Sequence, residues 1–167
     1  MPPEPNPVPP QYVAYPRGQV RVGDPEKLRA LADGYFALNW VFFGNVVLWF
    51  GSRAIPFISN DPTTALGLFG VWFLVIGLYV GFATYPQNKK IGYGCDWTPG
   101  WPIVASVLMA LNAVLCCGII GYVVMQQIAY QAMKKKFGVR ARFGGLRKTD
   151  IEQAISEMRM APPPPMP

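Results

Sequence analysis

The sequence predicts an all-α integral membrane protein with three transmembrane helices, a short C-terminal amphipathic helix and proline-rich disordered tails. Of its 167 residues, 15 are Lys or Arg and 9 are Asp or Glu, yet residues 34–52, 62–88 and 97–133 carry no charge at all. A helix rises about 1.5 Å per residue, so about 20 apolar residues cross the roughly 30 Å hydrocarbon layer. Each uncharged stretch meets or nearly meets that length. A soluble helical bundle would need polar faces, and residues 64–85 offer none at any helical spacing.

The N-terminal tail, residues 1–23, is rich in proline, with seven prolines in its first 16 residues. Proline removes amide donors and favours extended conformations, so we expect a disordered or semi-extended spacer. Residues 1–10 contain neither a basic residue nor an apolar core, so we expect no cleavable signal peptide there.

The membrane domain, residues 24–133, is predicted to begin with a helix capped by Asp24. Pro25 suits the first helical position because its missing amide donor is not needed there. The helix should continue into the first span, residues about 35–55, and end or kink at Pro56.

The second and third spans are predicted over residues about 64–85 and 102–125. A turn at Asn60-Asp61-Pro62 precedes the second span, and Tyr85-Pro86 closes it. A short glycine-bearing loop, residues 91–101, then leads to the third span and places two tryptophans at the membrane interface.

The remaining residues, 134–167, are predicted to form a basic tail with an amphipathic helix over about 150–159 and a proline-rich end. Thr149 and Glu152 fit a capping box at the start of that helix. The apolar stripe that indicates the helix consists of Ile151, Ala154, Ile155 and Met158.

Lysine and arginine predict the orientation in the membrane. Eight of them lie in the C-terminal tail, so the positive-inside tendency places the C-terminus in the cytosol. Three spans then put the N-terminal tail outside, with nine cations on the cytosolic side against six outside. If the first segment only dips into the membrane, both tails become cytosolic.

Cations beside an apolar span favour anionic lipid over nucleic acid as their partner, since each contributes about 1 kcal/mol of attraction to an anionic membrane surface. A protein partner that docks on the C-terminal tail is the other expectation. The candidate residues for contact with membrane lipids or a partner are Lys134, Lys135, Lys136, Arg140, Arg142, Arg147 and Lys148.

Small residues and amides predict how the spans pack. Gly77 and Gly81 form a GxxxG pattern, which lets two helix backbones approach closely, and Asn side chains can join helices with hydrogen bonds worth about 0.5–2 kcal/mol. The second and third spans should therefore contact each other, and the same pattern allows a homo-oligomer. The predicted packing residues are Gly77, Gly81, Ala113, Cys117, Gly121, Asn45 and Asn112.

Catalytic residues, cofactors and metals are not predicted. The chain contains no histidine, which excludes histidine-ligated haem, most catalytic zinc sites and Ser-His or Cys-His nucleophiles. Asp61 and Asp96 are isolated carboxylates for which turn or capping roles are the better interpretation. No ionisable residue lies well inside a predicted span, which argues against proton-coupled transport.

These patterns predict a non-enzymatic accessory or scaffold subunit that acts through its tails. The alternative is a small transporter or pore that forms only as an oligomer, because three helices cannot easily enclose a pathway. In that case Asn39, Asn45 or Asn112 would line the route.

Overall fold

A computed structural model describes residues 24–59, 61–116, 118–139 and 146–160 of the chain. This part is all-helical, as predicted, and contains no strand. The predictions for the N-terminal tail, Asn60, Cys117, Arg140, Arg142 and the proline-rich end concern residues outside these ranges. The helices are α1 (Pro25–Gly51), which continues through a 3₁₀ turn (Ser52–Ala54) into α2 (Ile55–Ile58), then α3 (Pro62–Cys95), α4 (Trp101–Cys116), α5 (Ile119–Phe137) and α6 (Lys148–Met160).

Aspartate-proline pairs start the two long helical segments. The Asp24 carboxylate accepts a hydrogen bond from the Glu26 amide at 2.9 Å. Asp61 accepts one from the Thr64 amide at 2.8 Å and another from the Thr64 hydroxyl at 2.5 Å, and these bonds hold the pKa of Asp61 below its ordinary value. Both segments, Pro25–Ile58 and Pro62–Cys95, are long and apolar enough to cross a membrane.

The end of α3 corrects the prediction that the second span closes at Tyr85-Pro86 before a glycine-bearing loop. The helix continues through Pro86 to Cys95. Proline inside a helix costs about 3 kcal/mol, but the ten residues from Pro86 onward bury Ile91 against α1 and so offset that cost. Asp96 ends the helix in the left-handed conformation, at φ 59°.

The predicted third span is not one continuous helix. Helix α4 ends at Cys116, α5 begins at Ile119, and the two fold back on each other as a hairpin. A Cβ on Gly121 would lie 3.4 Å from the Met109 side chain, whereas twelve residues of straight helix would separate the two by about 18 Å. Gly118 makes the reversal at φ 75°, and its amide donates to the Asn112 carbonyl at 3.1 Å.

Neighbouring helices in the bundle run antiparallel: α3 against α1, α4 against α3, and α5 against both α1 and α4. Each direction follows from residues that face each other at the two ends of a helix pair. These facing pairs are Gly34 with Ile91 and Gly51 with Trp72 (α1 and α3), Gly92 with Pro102 and Gly77 with Val114 (α3 and α4), and Asn39 with Gln126 and Asn45 with Gly118 (α1 and α5).

The start of α1 and the end of α5 therefore lie at the same end of the bundle. Lys27 in the first turn of α1 and Lys136 in the last turn of α5 both bind Asp96. A three-span chain would have these two points on opposite sides of a membrane. The bundle differs from that prediction because the third predicted span is a hairpin that returns to the end at which α1 begins.

Charged and exposed apolar side chains occupy different parts of the bundle, which we name the head and the belt. The head comprises residues 24–38, 86–100, 126–139 and 146–160, and it contains every described charged residue except Arg53 and Asp61. The belt comprises the other described residues, and large apolar side chains cover its surface. Those exposed most on the belt include Trp40, Phe43, Phe50, Leu66, Val71, Leu74, Phe82, Leu108, Leu111, Leu115, Ile120 and Val123.

Candidate functional site: the charged head

Helix α6 closes the head by packing on α1. All four residues of its apolar stripe are buried in the core of the bundle. Two surface contacts add to this packing: Arg29 pairs with Glu152 at 3.3 Å, and the Lys148 ammonium lies 5.7 Å from the centre of the Phe36 ring. The apolar stripe of α6 is therefore covered within the chain itself.

A second cluster joins three helix ends through Asp96. Its carboxylate accepts hydrogen bonds from Lys136 Nζ at 2.7 Å and from Lys27 Nζ at 2.5 Å. The hydrogen bond from Lys136, followed by that from Lys27, lowers the pKa of Asp96 from 3.8 to about 2. Asp96 ends α3, although the sequence predicted a loop there, and its two lysine partners could not be predicted because they lie 69 and 40 residues away in sequence.

An open pocket of about 490 Å³ lies on the head surface between α1, α3 and α6. Three cations and two carboxylates line it, so its charge balance is positive. No local pattern in the sequence indicates this pocket, because its cations come from three separate helices. The lining residues are Pro25, Glu26, Arg29, Ala30, Asp33, Lys90, Tyr93 and Arg159.

The predicted lipid- or partner-contact residues have different environments in the structure. Lys134, Lys135 and Arg147 are exposed and point away from the bundle. Lys136 binds Asp96, and Lys148 covers Phe36, so both also contribute to contacts within the head.

The predicted packing glycines of α3 face α4. A Cβ on Gly77 would lie 3.3 Å from the Val114 side chain, and one on Gly81 would lie 3.6 Å from the Ala110 Cβ. These distances are tight and ordinary van der Waals contacts respectively, so small residues at both positions allow the two helices to pack closely.

The other predicted packing residues lie around the hairpin. Ala113 is buried, and its carbonyl accepts a hydrogen bond from the Trp49 indole at 3.2 Å. The Asn112 side chain accepts from the Gly121 amide at 3.1 Å and so links α4 to α5. Asn45 is fully buried on α1 beside Gly118.

Two close contacts between α1 and α3 involve glycines that the sequence analysis missed. A Cβ on Gly94 would lie 2.8 Å from the Leu31 Cβ and 2.9 Å from the Lys27 carbonyl, and one on Gly34 would lie 2.8 Å from the Ile91 side chain. No side chain fits at these positions unless α1 and α3 move apart. The glycines were missed because residues 91–101 were predicted to form a loop.

A buried polar link between α3 and α4 was missed because Asn88 was predicted to lie beyond the end of the second span. The Asn88 amide donates to the Ser106 hydroxyl at 2.9 Å, and that hydroxyl donates to the Pro102 carbonyl at 2.7 Å. Asn88 has no exposed surface. Such a link fixes the register of two apolar helices, because slipping them would leave the amide without its partner.

Within the described ranges, no group of three or more His, Cys, Asp or Glu side chains is arranged to hold a metal ion. Comparison of the chain with protein-family models, with curated proteins and with solved structures finds no match.

Proposed function

We propose that this chain is a non-enzymatic membrane protein that serves as an accessory or scaffold subunit, with its belt in the lipid and its head on the cytosolic side. The observation that carries the proposal is the separation of charge from exposed apolar surface. Exposed apolar patches of this extent are typical of contact with a membrane or with another protein, and the apolar part of α3 from Leu66 to Tyr85 is about 30 Å long.

The distribution of Lys and Arg supports a cytosolic head. Cytosolic segments beside membrane spans carry an excess of these residues, and Arg53 is the one described cation at the far end of the bundle. Lys89 and Lys90, which the three-span prediction placed outside, lie in the head. The described cations of the head are Lys27, Arg29, Lys89, Lys90, Lys134, Lys135, Lys136, Arg147, Lys148 and Arg159.

Labelling of single cysteines tests this orientation. In a variant whose native cysteines are replaced by alanine, Thr98→Cys adds an exposed thiol to the head and Thr63→Cys adds one to the far end. In sealed, right-side-out vesicles, an impermeant thiol reagent should modify Thr63→Cys and leave Thr98→Cys unmodified, and inverted vesicles should give the reverse. Modification of both from one side contradicts membrane insertion, and the opposite pattern contradicts the cytosolic head.

The exposed lysines of α5 are proposed to hold the head against anionic lipid. Lys134 and Lys135 each add about 1 kcal/mol of attraction to an anionic surface. The double variant Lys134→Gln/Lys135→Gln should reduce the preference of the reconstituted chain for spin-labelled phosphatidylglycerol over phosphatidylcholine in the head-side leaflet. Arg53→Gln, at the far end, serves as the control and should keep that preference. Equal lipid preference in wild type and double variant would remove this part of the proposal.

A protein partner would meet the outer face of α6. Since the apolar stripe of α6 is covered by α1, the surface left for a partner is polar: Gln153, Ser156 and Glu157 are exposed there. Replacing these three residues by alanine should reduce co-purification of a partner while insertion into the membrane continues. The three alanine replacements leave the core of the head covered, whereas deletion of residues 151–158 would expose it.

The alternative of an oligomeric transporter or pore receives less support from the polar residues of the belt. The Asn39 side chain accepts a hydrogen bond from Gln126 and Asn112 accepts one from the Gly121 amide, so both link helices of one chain. A pore predicts solute flux through liposomes that contain a defined oligomer. A chain that is monomeric in mild detergent and gives no solute flux in liposomes would support the accessory or scaffold role instead.

A further inference from the structure

The α4–α5 hairpin reaches only part of the way along the belt. Its tip lies beside the last two turns of α1, where Trp49 binds the Ala113 carbonyl and Gly118 contacts Asn45, and α1–α2 continues past this point to Ile58. On α3, the last turn of α4 lies beside Gly77. The apolar part of α3 extends eleven residues farther, to Leu66, which corresponds to about 16 Å of helix. This is about half the thickness of the hydrocarbon layer.

Beyond the tip, the described belt consists of α1–α2 and α3 alone. A Cβ on Gly67 or Gly70 would meet no atom within 4 Å, and Leu66 is 74% exposed. On the α1–α2 side, Phe57 is 91% exposed. Between the tip and the head, the belt contains four helices: α1, α3, α4 and α5.

The surface of α5 indicates where the hairpin leaves the belt. Its exposed apolar side chains run from Ile119 to Val124. Gln127 is then exposed, and Lys134 and Lys135 follow. The hairpin therefore enters from the head side, turns inside the apolar layer and returns to the head side.

We propose that the half-depth hairpin makes this chain a wedge that favours membranes curved convex towards the head. The inference rests on the proposed function, because it needs the belt in lipid and the head at one face. Each helix is about 10 Å across, so four helices occupy about twice the cross-section of two. The head-side leaflet must take up the larger area, and a leaflet with more inserted area bends the bilayer outward on its own side.

The depth of the hairpin is tested first, with single-cysteine variants of the otherwise cysteine-free chain. Ile119→Cys, at the tip, should react with an impermeant thiol reagent from neither side of sealed vesicles. Thr63→Cys and Thr98→Cys show that the reagent reaches the two faces. Reaction of Ile119→Cys from the Thr63 side would mean that the hairpin crosses the whole layer, and the wedge would be overturned while the orientation of the head still stood.

Curvature preference is tested with the full chain in phosphatidylcholine vesicles, whose neutral surface removes any attraction of the basic head. Thr98→Cys labelling counts molecules with the head outward, and Thr63→Cys labelling counts those with the head inward. Per lipid, head-outward molecules should be several-fold denser in sonicated small vesicles than in extruded large ones. Head-inward molecules should show the opposite trend.

Equal densities of head-outward molecules per lipid in small and large vesicles would overturn the wedge without affecting the proposed function. A chain that fails to insert in either kind of vesicle removes both proposals together.

Discussion

At the scale of single residues, Asp96 connects the ends of three helices. Its left-handed backbone ends α3, and its carboxylate binds lysines from α1 and α5. Salt and solvent weaken the attraction between this exposed carboxylate and its two lysines. The contacts nevertheless hold the first turn of α1 and the last turn of α5 at one point.

Asp96→Asn should lower the midpoint of thermal unfolding in detergent and remove the part of its acid dependence that comes from Asp96. Asparagine tolerates the left-handed conformation, so the change removes only the charge. Because the pKa of Asp96 is about 2 in the folded chain and 3.8 ordinarily, its ionised form stabilises the fold fully above about pH 4. That stabilisation is lost as the pH falls towards 2.

Unfolding curves recorded between pH 2 and pH 6 check this prediction. The gap between wild type and Asp96→Asn should be constant above about pH 4 and close towards pH 2. Asp33→Asn removes an exposed carboxylate of the same head and serves as the control. A gap that does not change with pH would show that the charge of Asp96 contributes nothing to stability.

Gly94→Ala should destabilise the chain far more than Gly81→Ala. The new methyl group would lie 2.8 Å from the Leu31 Cβ in the first case and 3.6 Å from the Ala110 Cβ in the second. Overpacking of this kind costs about 1–3 kcal/mol, whereas a contact near 3.6 Å is ordinary. Thermal unfolding of both variants in the same detergent measures the difference. Equal midpoints would show that α1 and α3 separate without cost.

At the scale of elements, a turn and a docked helix decide the architecture. The turn at Gly118 converts a predicted span into a hairpin, and α6 turns a basic tail into part of the head. The turn lets α5 pack on α4, and docking covers the apolar stripe of α6.

Gly118→Ala should weaken the hairpin. A left-handed backbone costs a residue with a side chain about 1–2 kcal/mol, and the new methyl group would lie 2.7 Å from the Asn45 amide nitrogen. Gly70→Ala, at an open position in α3, is the matched control and should leave stability unchanged or raise it slightly. The midpoints of thermal unfolding of the two variants measure the difference. A Gly118→Ala chain as stable as Gly70→Ala would contradict the left-handed turn at Gly118.

Ile155→Asp should release α6 from the head. Ile155 is buried, and burying such a side chain stabilises by about 1.5–3 kcal/mol, which the carboxylate would forfeit. Amide hydrogen exchange over residues 148–160 should become fast, while exchange in α3 changes little. Ser156→Asp places the same charge on the exposed side of α6 and should leave its protection intact. Slow exchange in both variants would contradict the docking of α6.

At the scale of the whole molecule, the head and the belt share the same helices. α1, α3 and α5 begin or end among charged side chains and continue into an apolar surface. One core of buried residues runs through both parts, from Leu28 and Met133 to Ile76 and Val80. The head should therefore not fold as a separate domain.

Removal of detergent should make the purified chain aggregate. The belt exposes apolar side chains on every helix that it contains, far more than a soluble monomer tolerates. Analytical ultracentrifugation should give a single species in mild detergent and large aggregates in plain buffer. A monodisperse, helical chain in plain buffer would contradict the location of the belt in lipid.

The sequence alone determined the features that depend on short-range signals. The helix starts at Asp24 and Asp61 follow from capping side chains next to proline, the α6 stripe follows from helical periodicity, and the helical class follows from long uncharged stretches. Each of these signals lies within a few turns of chain, so no knowledge of the fold is needed to read it.

Only the tertiary structure decided the course of α3 beyond Pro86, the reversal at Gly118 and the partners of Asp96. A run of apolar residues satisfies its backbone hydrogen bonds equally well as one straight helix or as two helices folded together. Packing against α1 and α3 favours the two folded helices. The start of α1 and the end of α5 therefore lie at the same end of the bundle. Hydropathy measures the preference of each residue for lipid, but the direction of the chain depends on contacts between residues far apart in sequence.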